Sequence, residues 1–200
     1  FGALSYKPGF AINPLKFVNG IARYALSKKL RIFEHSLVVK IEKINSSYTL
    51  RTKEGSVNTK KVVVATNGFY QEGLVPQMNS RILPVISNII VTRKLTKTEI
   101  DYHNFKTFSP IANTKNLLYY YRKLPDNRIL FGTRGDFVGS DKSNLERSKI
   151  MEKFLKNIFP EWSNISIDYN WRGLIAMSQK LTPSIGKIEN EEIYYGFGYH

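Results

Sequence analysis

The sequence predicts a mixed α/β (α+β) protein in which a layer of helix and strands is interrupted by an antiparallel-sheet domain and then resumed. Three observations carry that prediction. A proline-led amphipathic helix precedes short strands and the apolar run "VVVATNGFY". From about Arg81 the chain becomes β-rich and carries one long helix. After Asn170 a turn-rich stretch returns to an apolar strand, "IYYGFGYH". As domains, residues 1–80 form part of the first layer, 81–170 the second domain, and 171–200 the return.

Asn13 before Pro14 is a helix start, a capping side chain followed by a proline whose missing N–H costs nothing at the first turn. Leu15, Val18, Ala22, Ala25 and Leu26 then recur at helical spacing. "LRIF" and "SLVVKIEKI" read as strands, and "KEGS" as the hairpin turn between "SYTLRT" and "SVNTKKVVVAT". Val62 to Val64 read as a buried strand that ends in the small residues Ala65, Thr66, Asn67 and Gly68. Helix, strands and hairpin leading into such a strand fit one part of a nucleotide-binding α/β layer. Beyond Arg81, "RILPVISNIIVTRKL", "NLLYYYRKL" and "RILFGTRGDF" read as strands, the last two joined by the turn "PDNR". "DKSNLERSKIMEKFLKNIFPEW" reads as a helix with Met151, Phe154, Leu155, Ile158 and Phe159 on one face, stopped by Pro160.

At 42% hydrophobic and 23% charged residues over 200 positions, the chain has the material for a packed core and is not of the disordered class. A formal charge of +14 invites a polyanion partner, but the lysines are scattered, with no Arg-rich block and no run of five like charges. Diffuse surface charge is the expectation, and no nucleic-acid partner. A basic binding module for anionic ligands or nucleic acid is the alternative from a different functional class. With no cysteine, disulfides and thiolate metal sites are excluded from this stretch. His35, His103 and His200 lack metal-ligand spacing, so no metal is expected. G-x-S-x-G is absent, and no apolar run reaches the length of a membrane span. A cytoplasmic location is expected. Beginning at Phe1 and stopping at His200 just after a strand-like run, the chain reads as a fragment cut at both ends.

Two stretches are candidate ligand sites. Ala65 and Gly68 carry too little side chain to obstruct a ligand, while Thr66 and Asn67 offer hydrogen-bonding groups at the carboxyl end of a strand, where ligands bind in open α/β sheets. Equally, many ligand-free buried strands end in glycine. Gly196 and Gly198 weaken a strand unless a backbone must come close or a tight turn begins. On the hairpin, Tyr119 and Tyr121 share one face and Tyr120 and Arg122 the other. An arginine there suits a carboxylate; sheet packing and a solvated arginine account for the same residues. Arg134 and Asp136 read as a charge pair in a turn.

Together and in order, four segments resemble FAD-dependent oxidoreductases of the D-amino-acid oxidase type, a group that includes sarcosine oxidases, glycine oxidases and gamma-glutamylputrescine oxidoreductases. They are "GFAINPLKFVNGIARYALSKKLRIFEHSLVVKIE", "KKVVVATNGFY", "LLYYYRKLPDNRILFGTRGDF" and "WRGLIAMSQKLTPSIGKIENEEIYYGFGYH". Within that group the segments resemble the putrescine-oxidoreductase-like branch. The resemblance implies part of a FAD-binding Rossmann-like domain plus an antiparallel-sheet substrate domain. It implies FAD beside Val38, Ala65, Thr66, Asn67, Gly68, Gly173, Gly198, Tyr199 and His200, and a small amine or amino-acid substrate near Tyr119, Tyr121 and Arg122. The implied reaction is hydride transfer from the carbon next to the amine to flavin N5, giving an imine that hydrolyses, with oxygen or another acceptor reoxidising the flavin. A flavin-binding subunit without its own catalysis keeps the same fold. Two departures stand out. The G-x-G-x-x-G strand-turn-helix is absent from this stretch, which predicts that the stretch alone is inactive, and Gln179 and Lys180 stand where relatives often carry an acidic or amide residue before the proline.

Overall fold

A computed structural model describes residues 3–6, 9–115 and 118–199. In chain order, the first elements are α1 (Pro14–Ser27), β1 (Lys40–Ile44), β2 (Ser47–Arg51), β3 (Ser56–Thr59) and β4 (Val62–Val64). Then come β5 (Leu83–Thr92), α2 (Lys97–Tyr102), β6 (Ile111–Ala112), β7 (Tyr119–Lys123) and β8 (Ile129–Asp136). The last are α3 (Asp141–Ile158), β9 (Ile167–Met177), β10 (Ser184–Lys187) and β11 (Ile193–Phe197). The fold is mixed α/β with antiparallel sheets, as the sequence predicts.

The chain forms two compact units, one of residues 1–30 with 87–173 and one of residues 31–86 with 174–200. Against the domain changes expected at 81 and 171, it passes between units after Ile86 and after Gly173, and residues 1–30 group with the middle of the chain.

In the first unit, α1 begins as its sequence dictates, with Asn13 Oδ1 accepting the Lys16 N–H at 3.0 Å. None of its residues is buried: Leu15, Val18, Ile21 and Tyr24 are all more than half exposed. The five-stranded sheet has the order β6-β7-β8-β5-β9, and β7 pairs antiparallel with β8 from Tyr119↔Thr133 to Lys123↔Ile129. Ile90, Ile129, Phe131, Met151, Leu155 and Trp162 make its core with the buried face of α3. Ile158, expected on that face, lies at the last turn and is 42% exposed, while Phe159 just beyond is buried. Ser140 caps α3 through Ser143 N–H. Asp136 makes no turn pair with Arg134. It is buried, accepts from Val138 N–H at 3.0 Å and from Ser143 Oγ at 2.8 Å, and so ties the end of β8 to the start of α3. Burial pushes its carboxyl up, but bonds from Val138 N–H, the Ser143 hydroxyl and Gly139 N–H outweigh this and hold it below the usual range.

Helix α2 is short and depends on its cap. Thr96 and Glu99 form a reciprocal capping box, and Arg93 grips Glu99 with two guanidinium nitrogens at 3.0 and 2.7 Å. Chiefly through Arg93, with burial opposing and Thr96 assisting, the Glu99 carboxyl is lowered from 4.5 to about 2. Its stabilising effect is therefore complete above the ordinary carboxylate value and lost as pH falls toward the folded value. Glu99→Gln is expected to lower the melting temperature at neutral pH and to melt with the wild type near pH 2. A gap that persists undiminished at acid pH would refute this.

In the second unit, β1-β2-β3 form an antiparallel sheet, with Arg51↔Ser56 closing the predicted hairpin. The expected strand "LRIF" is irregular backbone, because Ile32 and Phe33 are exposed and pair with nothing among the described residues. A second sheet has the order β10-β11-β4, with β4 parallel to β11 (Val62↔Ile193, Val64↔Tyr195). The valine strand is buried on one face only: Val62 and Val64 enter the core with Val75, Met78, Ala176 and Phe197, while Val63 is 70% exposed. Tyr48 joins the sheets, donating to Glu191 Oε2 at 2.5 Å and accepting Glu192 N–H at 2.9 Å, with Lys43 also on Glu191 at 2.8 Å.

Candidate functional site

The parallel pairing of β4 with β11 puts the carboxyl ends of two sequence-distant strands side by side. From β4 the chain runs through exposed Ala65 and Thr66 into a tight turn at Asn67, where φ is +47°. From β11 it runs into Gly198, where φ is +87°. The Asn67 amide clamps the two ends together. Its Oδ1 accepts Gly198 N–H at 3.2 Å and Tyr199 N–H at 3.4 Å, and its Nδ2 donates to Tyr199 O at 3.2 Å. The structure thus brings together Ala65, Thr66, Asn67, Gly68, Gly198 and Tyr199.

The glycines in this group have a local cause. A Cβ on Gly68 would stand 3.0 Å from the Ile175 backbone, and one on Gly198 would stand 2.9 Å from Thr182 O. What approaches the backbone of these two residues is β9 and the loop after it. Val38 is half-buried just ahead of β1, and Gly173 lies in the first unit with nothing within 4 Å of the position a Cβ would take. His200 lies outside the described residues.

Beside the Gly198 turn the second unit holds a cavity of about 1150 Å³. Ile82, Leu83, Met177, Leu181 and Phe197 give it apolar walls, and Ser178, Arg81, Lys180 and Glu72 line it with polar groups. Ser178 shapes the loop between β9 and β10: its hydroxyl donates to Thr182 O at 2.7 Å and accepts Thr182 N–H at 3.2 Å. Within that loop Leu181 holds φ at +53°, a conformation that bulky side chains rarely adopt and that clusters at functional sites. Glu72 is engaged, both carboxylate oxygens accepting Ser80 N–H at 3.1 Å. The sequence marks Lys180 only as a departure and gives no sign that Arg81, Ser178 and Leu181 line the same cavity. Nothing local to Arg81 marks it as facing a cavity, because the opposing wall comes from a loop a hundred residues away.

On the hairpin of the first unit, Tyr119 and Tyr121 turn inward. Tyr119 packs on Phe131 and Phe154 with centroids 5.6 and 4.6 Å apart, and Tyr121 on Phe131 and Phe159 at 6.0 and 5.8 Å. Burial pushes the Tyr121 hydroxyl up. Tyr120 and Arg122 take the other face. The Tyr120 hydroxyl meets Ser87 Oγ at 2.9 Å, and its ring covers Gly132, its cross-strand partner. Among the described residues Arg122 donates one bond, to Ile12 O at 2.9 Å.

Residues 1–200 match the family model described as FAD dependent oxidoreductase. The chain is 32% identical over 191 residues to a probable oxidoreductase, OrdL, of Haemophilus influenzae, covering 94% of the chain and 42% of that protein. It is 30% identical over 198 residues to the gamma-glutamylputrescine oxidoreductase of Escherichia coli, covering 99% of the chain and 45% of that protein. The chain therefore spans less than half the length of these relatives. Among solved structures, L-proline dehydrogenase from P. horikoshii superposes with a TM-score of 0.71 at 20% identity, over 92% of this chain and 50% of that one. Glycine oxidase from Geobacillus kaustophilus gives 0.71 at 17% identity, over 90% and 47%. These two share the fold.

Proposed function

Because this chain belongs to the FAD dependent oxidoreductase family, we propose that it supplies part of the cofactor cleft of an enzyme that oxidises the C–N bond of a small amine or amino acid. The supporting observation is the clamp of Asn67 on Gly198 and Tyr199 at the carboxyl ends of β4 and β11, with a large part-apolar cavity opening beside it. That is where a dinucleotide sits in an α/β layer. The residues present fit the group: Ala65 and Thr66 are exposed there, and Met177, Leu181 and Phe197 offer apolar wall for a flat ring. When bound, FAD supplies the two-electron acceptor.

The chain's own residues hold and exclude. Ala65, Thr66, Asn67, Gly198 and Tyr199 would hold the cofactor, with Val38, Gly173 and His200 assigned to it by the resemblance alone. Asn67 fixes the cleft by hydrogen bonds that cost no reorganisation on binding. The apolar walls exclude water and disfavour an ammonium, so a substrate amine enters in its neutral form. On the hairpin, Tyr119 and Tyr121 are committed to the core. Arg122, with guanidinium donors beyond its one bond to Ile12, is the residue for substrate contact. The Escherichia coli relative, named for a gamma-glutamylated amine, supports an amine of that kind as substrate. The test is to purify the full-length protein, record its visible absorption and assay a panel of amines and amino acids with oxygen and with artificial acceptors. A yellow protein whose flavin is bleached by one of the amines is expected. A colourless protein to which FAD does not bind would overturn the proposal.

A further inference from the structure

Strand β9 is the outer strand of the five-stranded sheet, next to β5, and its far edge pairs with no strand among the described residues. The carbonyl of Ser166, one residue before β9, accepts the N–H of Arg93, one residue past β5. Backbone groups alternate sides along a strand, so those of Asp168, Asn170 and Arg172 turn toward β5 and those of Tyr169 and Trp171 toward the free edge. A bare edge of this kind is a template for another strand.

The side chains along it are arranged symmetrically about Asn170. One residue away on either side stand Tyr169 and Trp171, 57% and 43% exposed. Two residues away stand Asp168 and Arg172, of opposite charge. Asp168 gives one oxygen to Arg128 at 2.6 Å, and Arg172 gives one nitrogen to Asp141 at 3.0 Å. Among the described residues the second carboxylate oxygen and the other guanidinium donors are unused.

We propose that β9 pairs antiparallel with β9 of a second copy, about a twofold axis at Asn170, so that one sheet runs through both copies of a dimer. In that register Asp168 of each copy meets Arg172 of the other, and Tyr169 meets Trp171, the self-complementary pattern of an isologous contact. The hydrogen bonds run between Tyr169 and Trp171, whose backbone groups face outward. Any other antiparallel register loses both the charge match and the aromatic match.

The test is made on the full-length protein by sedimentation, and the wild type is expected to be a dimer. Asp168→Arg and Arg172→Asp each set like charges together at both contacts, and each is expected to weaken the dimer about tenfold or more. Mixing the two variants sets opposite charges together again and is expected to restore dimers. Asn170→Cys leaves both charges in place and so decides the matter even if a charge variant misfolds. It brings two thiols face to face with a Cα separation of about 4.5 Å, within disulfide reach. Mild oxidation is expected to link its copies, while Glu54→Cys, in an exposed hairpin turn, stays unlinked. A monomeric wild type overturns the proposal, whether thiol reagents then find the Asn170→Cys variant bare or covered by another part of the chain. A dimer that ignores both charge variants and leaves Asn170→Cys unlinked is built on a different face and overturns it as well.

Discussion

Replacing Trp162 with alanine is expected to destabilise the first unit by about 3–5 kcal/mol, the usual cost of emptying a buried indole site. Trp162 is 1% exposed and stacks on Phe159 with centroids 4.2 Å apart. His103 meets it edge-on at 5.0 Å, and its indole N–H donates to Glu99 O at 2.9 Å. Removing the ring leaves a cavity that the surrounding sheet and helix cannot close, and leaves Glu99 O, in the first turn of α2, without that donor. Trp162→Phe keeps most of the apolar volume and loses only the N–H, so it is expected to cost about 1–3 kcal/mol. Denaturant midpoints of the full-length protein, followed by near-ultraviolet circular dichroism, check both. Equal losses in the two variants would mean that the hydrogen bond, not the packing, dominates.

The second large effect is expected at Gly198. Alanine there must hold φ at +87° with its Cβ 2.9 Å from Thr182 O, a backbone atom with little freedom to withdraw. Strain of about 1–3 kcal/mol is expected, together with weaker retention of FAD if the cleft is where we place it. Asn67 provides the comparison. Asn67→Gly keeps the positive φ and removes the amide clamp; Asn67→Ala removes the clamp and adds about 1–2 kcal/mol of left-handed strain. The expected order of stability is wild type, Asn67→Gly, Asn67→Ala. If Asn67→Gly matches the wild type in both midpoint and flavin content, the clamp is incidental.

How far these features could be read from the chain depends on how local their causes are. Asn13-Pro14 fixes the start of α1 within a few residues, and "KEGS" and "PDNR" fix their hairpins, because caps and turns are decided by neighbours. The same signal at Thr96-x-x-Glu99 marks α2, in a stretch where the β pattern is the stronger one. Period-two alternation correctly separates Tyr119 and Tyr121 from Tyr120 and Arg122, but not which pair is inside, since both faces carry tyrosine. The face is chosen by Phe131, Phe154 and Phe159, which arrive later in the chain. Pairing of β4 with β11 has no local signature at all. Likewise, the glycines at 68 and 198 can be seen to need close approach, but not what approaches them.

The parallel pairing of β4 with β11 also dictates an order of events. Val62 meets Ile193, so a three-residue strand has to await a partner 131 positions downstream. Joining ends so far apart is slow, and residues 87–173 lie wholly between them and have a sheet and helix of their own to complete. On the ribosome the intervening unit is able to consolidate while Val62 and Val64 are still uncovered. Apolar strands in that condition invite association with other nascent chains. The two lysines immediately before them, Lys60 and Lys61, are charges placed where such a waiting strand needs a guard.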